Sequence, residues 1–193
     1  MNSKLILAAA AAAAFVTPAY ANPVSGPRLE VVAGLDNANV DEGNFAAGVD
    51  DSANGVVWGL GAGYDVAVGG KSAIGIDVEA NESTAGWAGK EDQTRWDIDL
   101  TRDLYAGARF TTQVMPNVAL YAKVGYTNLG LKARDKVGNT TTIVSDHADG
   151  VRGALGAQYL LDKNVYFGAE YRYSNYEGGL SRNNAVVTAG YRF

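Results

Sequence analysis

The last eleven residues of the chain, 183–193, alternate between apolar and polar side chains and end on Phe193. Because successive side chains of a β-strand point to opposite faces, this segment has one apolar face along its whole length. In water such an exposed strand would promote aggregation, so the apolar face requires an apolar solvent. A lipid bilayer is such a solvent, and the segment therefore predicts a strand of a transmembrane β-barrel.

The amino-terminal residues 1–21 have the composition of a cleavable signal peptide. Lys4 is followed by an apolar run made mostly of alanine, and the small residues Ala19 and Ala21 precede the predicted cleavage point. The run is too short to span a membrane, and no later stretch reaches the roughly 18 consecutive apolar residues that a membrane helix needs. Residues 22–193 are therefore predicted to be exported and to form one domain.

The composition excludes several classes of protein. Without Lys4, the 16 basic residues of the chain fall to 15 against 21 acidic ones, which argues against nucleic acid as a partner. Cysteine is absent, so disulfides and thiolate metal sites are excluded. The 24 glycines and 11 tyrosines, with only 4 prolines, favour strands joined by turns. The sequence predicts no cofactor and no metal site.

Eight segments share the alternating pattern, and most have an apolar core of about nine residues, enough for a tilted strand to cross the hydrocarbon. They are residues 28–36, 58–66, 74–81, 96–110, 118–127, 151–159, 165–174 and 183–193. Long polar links follow the odd strands, at 37–54, 81–95, 128–147 and 175–183. Short turns follow the even strands, at 67–72, 111–117 and 161–164. This arrangement predicts an all-β, eight-stranded, antiparallel up-and-down transmembrane barrel, with both chain ends on the turn side.

Three short segments on the last three predicted strands carry a family resemblance. Residues 149–152 read DGVR, residues 170–176 read EYRYSNY, and residues 189–193 read AGYRF. In this order the segments resemble the small outer-membrane β-barrels related to the opacity proteins and to the transmembrane domain of outer-membrane protein A. The resemblance implies a protein of the Gram-negative outer membrane, in contact with membrane lipid and lipopolysaccharide.

The resemblance also implies a role for the end of the chain. In this family a terminal phenylalanine, with apolar residues at alternate positions before it, is the signal that the barrel-assembly machinery reads. The positions that match this signal are Val187, Ala189, Tyr191 and Phe193.

The polar faces of the predicted strands carry six charges of each sign. Eight strands leave an interior that side chains fill, and buried charges are tolerated only in pairs, so the balance predicts a closed polar core. The expected lumen network consists of Arg28, Glu30, Asp77, Glu79, Arg109, Lys123, Arg152, Glu170, Arg172 and Arg192. Asp97 and Asp99 are also expected to point inward, and the centre is expected at Arg152, Glu170, Arg172 and Arg192.

One residue conflicts with the alternation. Arg102 falls between the outward positions Leu100 and Leu104, where a lipid-exposed charge at mid-depth costs about 2–4 kcal/mol. Either a β-bulge shifts the register, or the strand continues beyond the bilayer and places Arg102 at the loop-side rim. The second explanation is preferred, because a count of nine residues back from Phe110 ends at Arg102.

The chain offers little catalytic chemistry. Its single histidine, His147, lies between Asp146 and Ala148 and follows Ser145 by two residues, in a loop-side segment where an isolated histidine is usually solvated. No catalytic residue is therefore assigned. The predicted function is that of a monomeric structural or surface-interaction barrel. A narrow porin-like channel is the first alternative, and a lipid A-modifying enzyme is the second.

Overall fold

The computed structural model describes residues 24–40, 51–91, 94–137 and 140–193, almost all of them in strands. The predicted signal peptide lies outside the described residues. The strands are β1 (Gly26–Val40), β2 (Ser52–Ala67), β3 (Ser72–Ser83), β4 (Gly86–Glu91), β5 (Thr94–Met115), β6 (Val118–Val137), β7 (Thr140–Leu160), β8 (Val165–Tyr176) and β9 (Leu180–Arg192). Within the described ranges, no helix is long and apolar enough to cross a membrane.

The strands form one closed antiparallel sheet. Its order is β3-β2-β1-β9-β8-β7-β6-β5-β4, and an additional pairing between β3 and β5 closes the ring. The first and last strands pair directly, with Leu29 opposite Tyr191, so the spanning wall has no free edge. β3 and β4 are two parts of one stave, because both pair with β5. The predicted eight-stranded up-and-down barrel is therefore confirmed.

The two faces of the wall have the inverse polarity of a water-soluble protein. Large aliphatic side chains point outward, and Leu155 and Ile76 are 69% and 67% exposed. Arginine side chains point inward, and Arg109 and Arg152 are each 1% exposed. This inversion is stable only where lipid surrounds the wall.

Three of the predicted long links are wrong in their extent. Most of 81–95 forms the end of β3, β4 and the start of β5, and 128–147 is a long hairpin made by β6 and β7. Between β8 and β9 only the short turn Glu177–Gly179 remains. These polar segments satisfy their backbone hydrogen bonds by pairing with each other, so loss of apolar alternation does not mark the end of a strand. In the link 37–54, residues 41–50 lie outside the described residues.

On the loop side, four strands therefore continue above the rest of the wall. Pairing between β7 and β8 ends at Gly150 opposite Tyr176, but pairing between β6 and β7 continues to Val137 opposite Thr140. On the other side of β6, β5 pairs with it up to Thr94 opposite Val137, and β4 pairs with this upper part of β5. The name projecting sheet is used here for residues 86–91, 94–100, 131–137 and 140–147.

A β-bulge separates the barrel from the projecting sheet on β5. The register against β6 shifts between Leu100 and Asp103, where the two residues Thr101 and Arg102 lie opposite the single residue Gly130, so β5 contains one extra residue there. The shift exchanges the two faces of the strand, and Leu100 is buried inside, not outside as predicted. Trp96 and Ile98 also pack on the interior cluster, while Asp97 and Asp99 contact Arg134 on the outer face.

The bulge also decides the position of Arg102. It is one of the two bulge residues that lie opposite Gly130, and its side chain is exposed. The bulge, which was not the preferred explanation, is therefore present, and the strand also continues beyond Arg102 to Thr94, as the preferred explanation required.

Candidate functional site

The lumen contains most of the ionisable chemistry of the barrel. The structure places all ten residues of the expected network in buried positions, and it adds Asp36, Asp65, Asp103 and Arg182. Among the residues described, the buried set comprises seven cations and seven carboxylates. A dry interior tolerates charges only when they are paired, and the equal numbers meet this requirement.

On the turn side, Arg28 joins three carboxylates contributed by three strands. Its Nε donates to Asp65 Oδ2 at 2.8 Å, its Nη2 contacts Asp77, and its Nη1 lies 3.4 Å from Glu30 Oε1. Arg192 Nη2 lies 3.1 Å from the same oxygen of Asp65. The pairing of β1 with β9 brings Arg28 and Arg192 together, so this ion cluster stabilises the closure of the barrel.

Glu30 connects this cluster to the opposite wall. Arg109 Nη1 donates to Glu30 Oε1 at 3.0 Å, and the hydroxyl of Tyr166 donates to the same oxygen at 2.7 Å. Arg109 also donates to Gln158 Oε1 at 3.0 Å, and its guanidinium lies 3.8 Å from the ring centroid of Tyr121. Side chains thus reach across the whole lumen at this level.

The middle of the lumen is organised around Glu79. Lys123 Nζ lies 2.5 Å from Glu79 Oε1, and Arg172 Nη1 lies 2.9 Å from Glu79 Oε2. Both cations also contact Glu170, with Lys123 Nζ 2.8 Å from Glu170 Oε2. The expected centre is therefore partly wrong. Glu170 and Arg172 belong to it, but Arg192 belongs to the turn-side cluster and Glu79 takes the central position.

On the loop side, two carboxylates are shared among several donors. Asp103 contacts Arg152, lies 2.9 Å from Arg182 Nη1 and accepts from the hydroxyl of Thr127 at 2.6 Å. Asp36 lies 2.5 Å from Arg182 Nη2 and accepts from the Asn184 amide at 2.7 Å. Arg182 therefore connects β1, β5 and β9.

Arg182 was not expected in the network, because residues 175–183 read as a polar link. Arg182 lies two residues before the inward-facing Asn184, and alternate residues of a strand point to the same face. Extending this alternation beyond residue 183 could have identified Arg182 as an inward residue. Asp65 and Asp103 also stand at inward positions of their strands but were not included in the expected network.

Apolar side chains close both ends of the charged interior. Above the Asp103 cluster, the interior of the projecting sheet and the neighbouring strand ends form a cap. The cap is made of Ala38, Ala53, Ala85, Trp87, Leu100, Leu129, Ala148, Tyr176 and Leu180. On the turn side, Val24 packs on Ala73 and Ala119 and is completely buried.

Small residues of the wall make room for the large side chains of the lumen. A Cβ atom added at Gly156 would overlap the ring of Tyr121, and one added at Gly190 would overlap the ring of Tyr166. Glycine is required at both positions because the rings lie directly against the backbone.

The outer face of the projecting sheet is charged. Arg134 Nη1 donates to Asp97 Oδ2 at 3.0 Å and also contacts Asp99. These two hydrogen bonds raise the pKa of the Arg134 guanidinium above its usual value. Three further cations lie on this face and form no ion pair in the described ranges: Arg95, Lys132 and Lys136.

His147 does not assemble a catalytic arrangement. It lies on the outer edge of β7, and among the described residues no hydrogen bond joins its imidazole to Ser145 or to a carboxylate. The described residues also contain no group of three or more histidine, aspartate and glutamate side chains that could hold a metal ion.

Comparison with known families agrees with this architecture. The sequence model for the outer membrane protein beta-barrel domain matches residues 6–193. The chain belongs to this family. Its location is therefore the outer membrane, as the sequence predicted. No curated protein matches the chain at a significant level.

Solved structures of three small barrels are similar to the chain. Ail, the attachment invasion locus protein of Yersinia pestis, has a TM-score of 0.54 and 17% identity, with 88% of this chain and 99% of Ail covered. Neisserial surface protein A has a TM-score of 0.57 and 18% identity, with 88% and 98% covered. OprG of Pseudomonas aeruginosa has a TM-score of 0.51 and 12% identity, with 88% and 97% covered. At these identities the likeness shows the fold alone.

Proposed function

We propose that this family member is a monomeric, closed outer-membrane barrel with a structural or surface-interaction role. The filled lumen is the observation that carries the proposal. Seven buried cations and seven buried carboxylates occupy the spanning region, and apolar side chains close it at both ends. A solute would have to break several paired charges at once, and each separated partner would remain buried without compensation.

The projecting sheet supports the surface-interaction part of the proposal. It extends the chain beyond the lipid band on the loop side and presents uncompensated cations next to the membrane surface. Lipopolysaccharide phosphates are anionic partners that arginine and lysine bind well. Ail offers a parallel, because its structure is also known in complex with the heparin analogue sucrose octasulfate. Membrane lipid and lipopolysaccharide are accordingly the proposed partners.

Planar-bilayer conductance of the refolded full chain tests the closed lumen against the porin-like alternative. The expected result is a membrane that shows no stable single-channel steps at neutral pH, while an open porin inserted in the same way does show them. Reproducible steps from the purified chain would overturn the closed-lumen proposal.

We propose further that the protein is not an enzyme. The solvated position of His147 on a strand edge supports this, because a general base needs a positioned partner. Mass spectra of lipid A from cells that express the wild type, the His147→Ala variant or neither are expected to be identical. A modified lipid A species that depends on His147 would contradict the proposal.

The assembly signal is proposed for Val187, Ala189, Tyr191 and Phe193. The exposure of Val187 on β9 and of Phe193 directly after it supports this proposal. The ring of Tyr191 also packs edge-on against that of Phe193, with 4.8 Å between the ring centroids. Removal of Phe193 is expected to lower the amount of folded barrel in cells without changing refolding in detergent. Equal losses in both assays would indicate a role in stability instead.

A further inference from the structure

The upper part of β7 has a free edge. β8 pairs with β7 only up to Gly150, and on the other side β6 pairs with β7 as far as Thr140. Residues 140–147 therefore have a strand on one side only, within the part of the chain that the structure describes. At about 3.3 Å per residue this edge is about 26 Å long.

The side chains of this edge favour pairing with another strand. All eight residues are exposed, and the first five, Thr140 to Val144, are β-branched. The segment contains no proline and no lysine, two of the residues that usually protect an exposed edge, and its one acidic residue is Asp146 near the barrel end. Alternate residues of an edge strand direct their amide and carbonyl groups to the free side, so about four residues of this segment do so. The His147 amide already donates to Asp146 Oδ1 at 2.8 Å, which leaves about three donors for another strand.

The charge next to the edge indicates what kind of strand would bind. Register places Thr141, Ile143 and Ser145 opposite the long cationic side chains of β6 on the outer face. The cationic stripe on this face consists of Arg95, Lys132, Arg134 and Lys136. The same face also carries two carboxylates, Asp97 and Asp99, and both form ion pairs with Arg134. A strand added to β7 would therefore place every second side chain beside a positive surface.

We propose that residues 140–147 bind an extended polypeptide segment by β-strand addition, and that this segment carries acidic side chains at alternate positions. Main-chain hydrogen bonds would supply the affinity, and the cationic stripe would supply the specificity for acidic side chains. The proposal rests on the surface-interaction role proposed above and names the class of partner. A second copy of this chain fits less well, because antiparallel pairing of two β7 edges would place both cationic stripes on the same face.

The test uses the refolded full chain in nanodiscs and a labelled eight-residue peptide of alternating valine and glutamate. Saturable binding is expected by fluorescence anisotropy, together with slower amide hydrogen exchange in residues 140–147. A peptide with lysine in place of glutamate is expected to bind at least about tenfold more weakly. The glutamate peptide with N-methyl groups on the pairing side is expected not to bind, because it lacks the required donors.

Charge reversal on the protein gives the matched comparison. The double variant Lys132→Glu with Lys136→Glu is expected to weaken binding of the glutamate peptide by about tenfold or more. The control Lys71→Glu with Lys163→Glu changes two exposed lysines on the turn side and is expected to bind as the wild type does.

Three results would overturn the proposal. They are equal binding of the N-methylated peptide, protection confined to other residues, and concentration-dependent self-association that protects 140–147 without peptide. The conductance measurement is independent of all three, so failure of peptide binding is distinguishable from failure of the closed-lumen proposal.

Discussion

The spanning barrel and the projecting sheet are built from the same strands with opposite polarity. In the barrel, Arg109 and Glu79 are buried inside and Leu155 faces outward. In the projecting sheet, Leu100 and Trp87 are buried inside and Arg134 with Asp97 faces outward. The surrounding solvent accounts for the difference, because lipid accepts apolar side chains on the outer face and water accepts charged ones.

On β5 a single bulge produces the change. A strand has a side-chain period of two, so one extra residue in the register moves every later side chain to the other face. Leu100 and Asp103 are both buried although they are three residues apart, which an unbulged strand cannot achieve. The polarity of each face is therefore set locally, by the solvent that surrounds that part of the strand.

The largest effect is expected for Glu79→Ala in the centre of the lumen. The change leaves Lys123 and Arg172 buried with Glu170 as their one remaining shared carboxylate, and this loss of charge balance costs about 3–5 kcal/mol of unfolding free energy. Urea unfolding in lipid vesicles measures this loss. A loss below about 1 kcal/mol would show that water compensates the lumen charges, and the barrel interior would then not be dry.

The next effect is expected for Leu100→Ala in the apolar cap. Leu100 is buried among Trp87, Leu129 and other apolar side chains, so its truncation leaves a cavity that costs about 2–5 kcal/mol. The same urea titration measures it. The exposed Leu104→Ala variant on the barrel side of the bulge is the matched control. Equal losses at the two positions would mean that the bulge does not separate two environments.

A smaller effect distinguishes the lipid face of the barrel from an exposed position of the projecting sheet. Leu155→Arg puts a charge at mid-depth on the lipid face, at a cost of about 2–4 kcal/mol. Val144→Arg makes a similar change at an exposed aliphatic position of the projecting sheet, where water solvates the charge, so little loss is expected. Folding yields and urea midpoints in vesicles compare the two. A comparable loss for Val144→Arg would place that strand segment in lipid.

The smallest effect is expected for Asp99→Asn on the outer face of the projecting sheet. Arg134 keeps its hydrogen bond to Asp97, and both groups are in contact with solvent, which screens their interaction. The urea midpoint is expected to stay within experimental error of the wild type at physiological salt. A large shift here would mean that solvent-exposed ion pairs contribute as much unfolding free energy as the buried pairs of the lumen.

The sequence predicts the spanning part well because lipid imposes a strict rule on it. The alternation of Leu29 to Leu35 and of Val187 to Phe193 can be read directly, and the lumen residues follow from the opposite parity. Charge balance then predicts a filled interior. The individual partners do not follow from the sequence, because Glu79 contacts cations on three other strands whose relative stagger depends on the closed barrel.

Above the membrane the rule no longer applies, and the sequence predictions fail there. Residues 128–147 read as a loop because Lys132, Arg134 and Asp135 interrupt the apolar pattern, yet the segment pairs along its described length. The bulge at Arg102 also cannot be predicted from the sequence. A charge that breaks the apolar alternation is expected both at a bulge and at the rim of the barrel, so the local sequence does not distinguish the two. Cross-strand pairing alone decides both, and it is not a local property of the sequence.

The pairing of β1 with β9 has a consequence for how the chain reaches its final state. Arg28 lies opposite Arg192, so the two ends of the domain must meet before the ring exists. Contacts between such distant parts of the chain form slowly, because a long loop must close before they contribute any stability. The wall cannot be completed before the carboxyl-terminal strand has been synthesised. Closure at the carboxyl-terminal strand is then the step that turns an open sheet into a barrel.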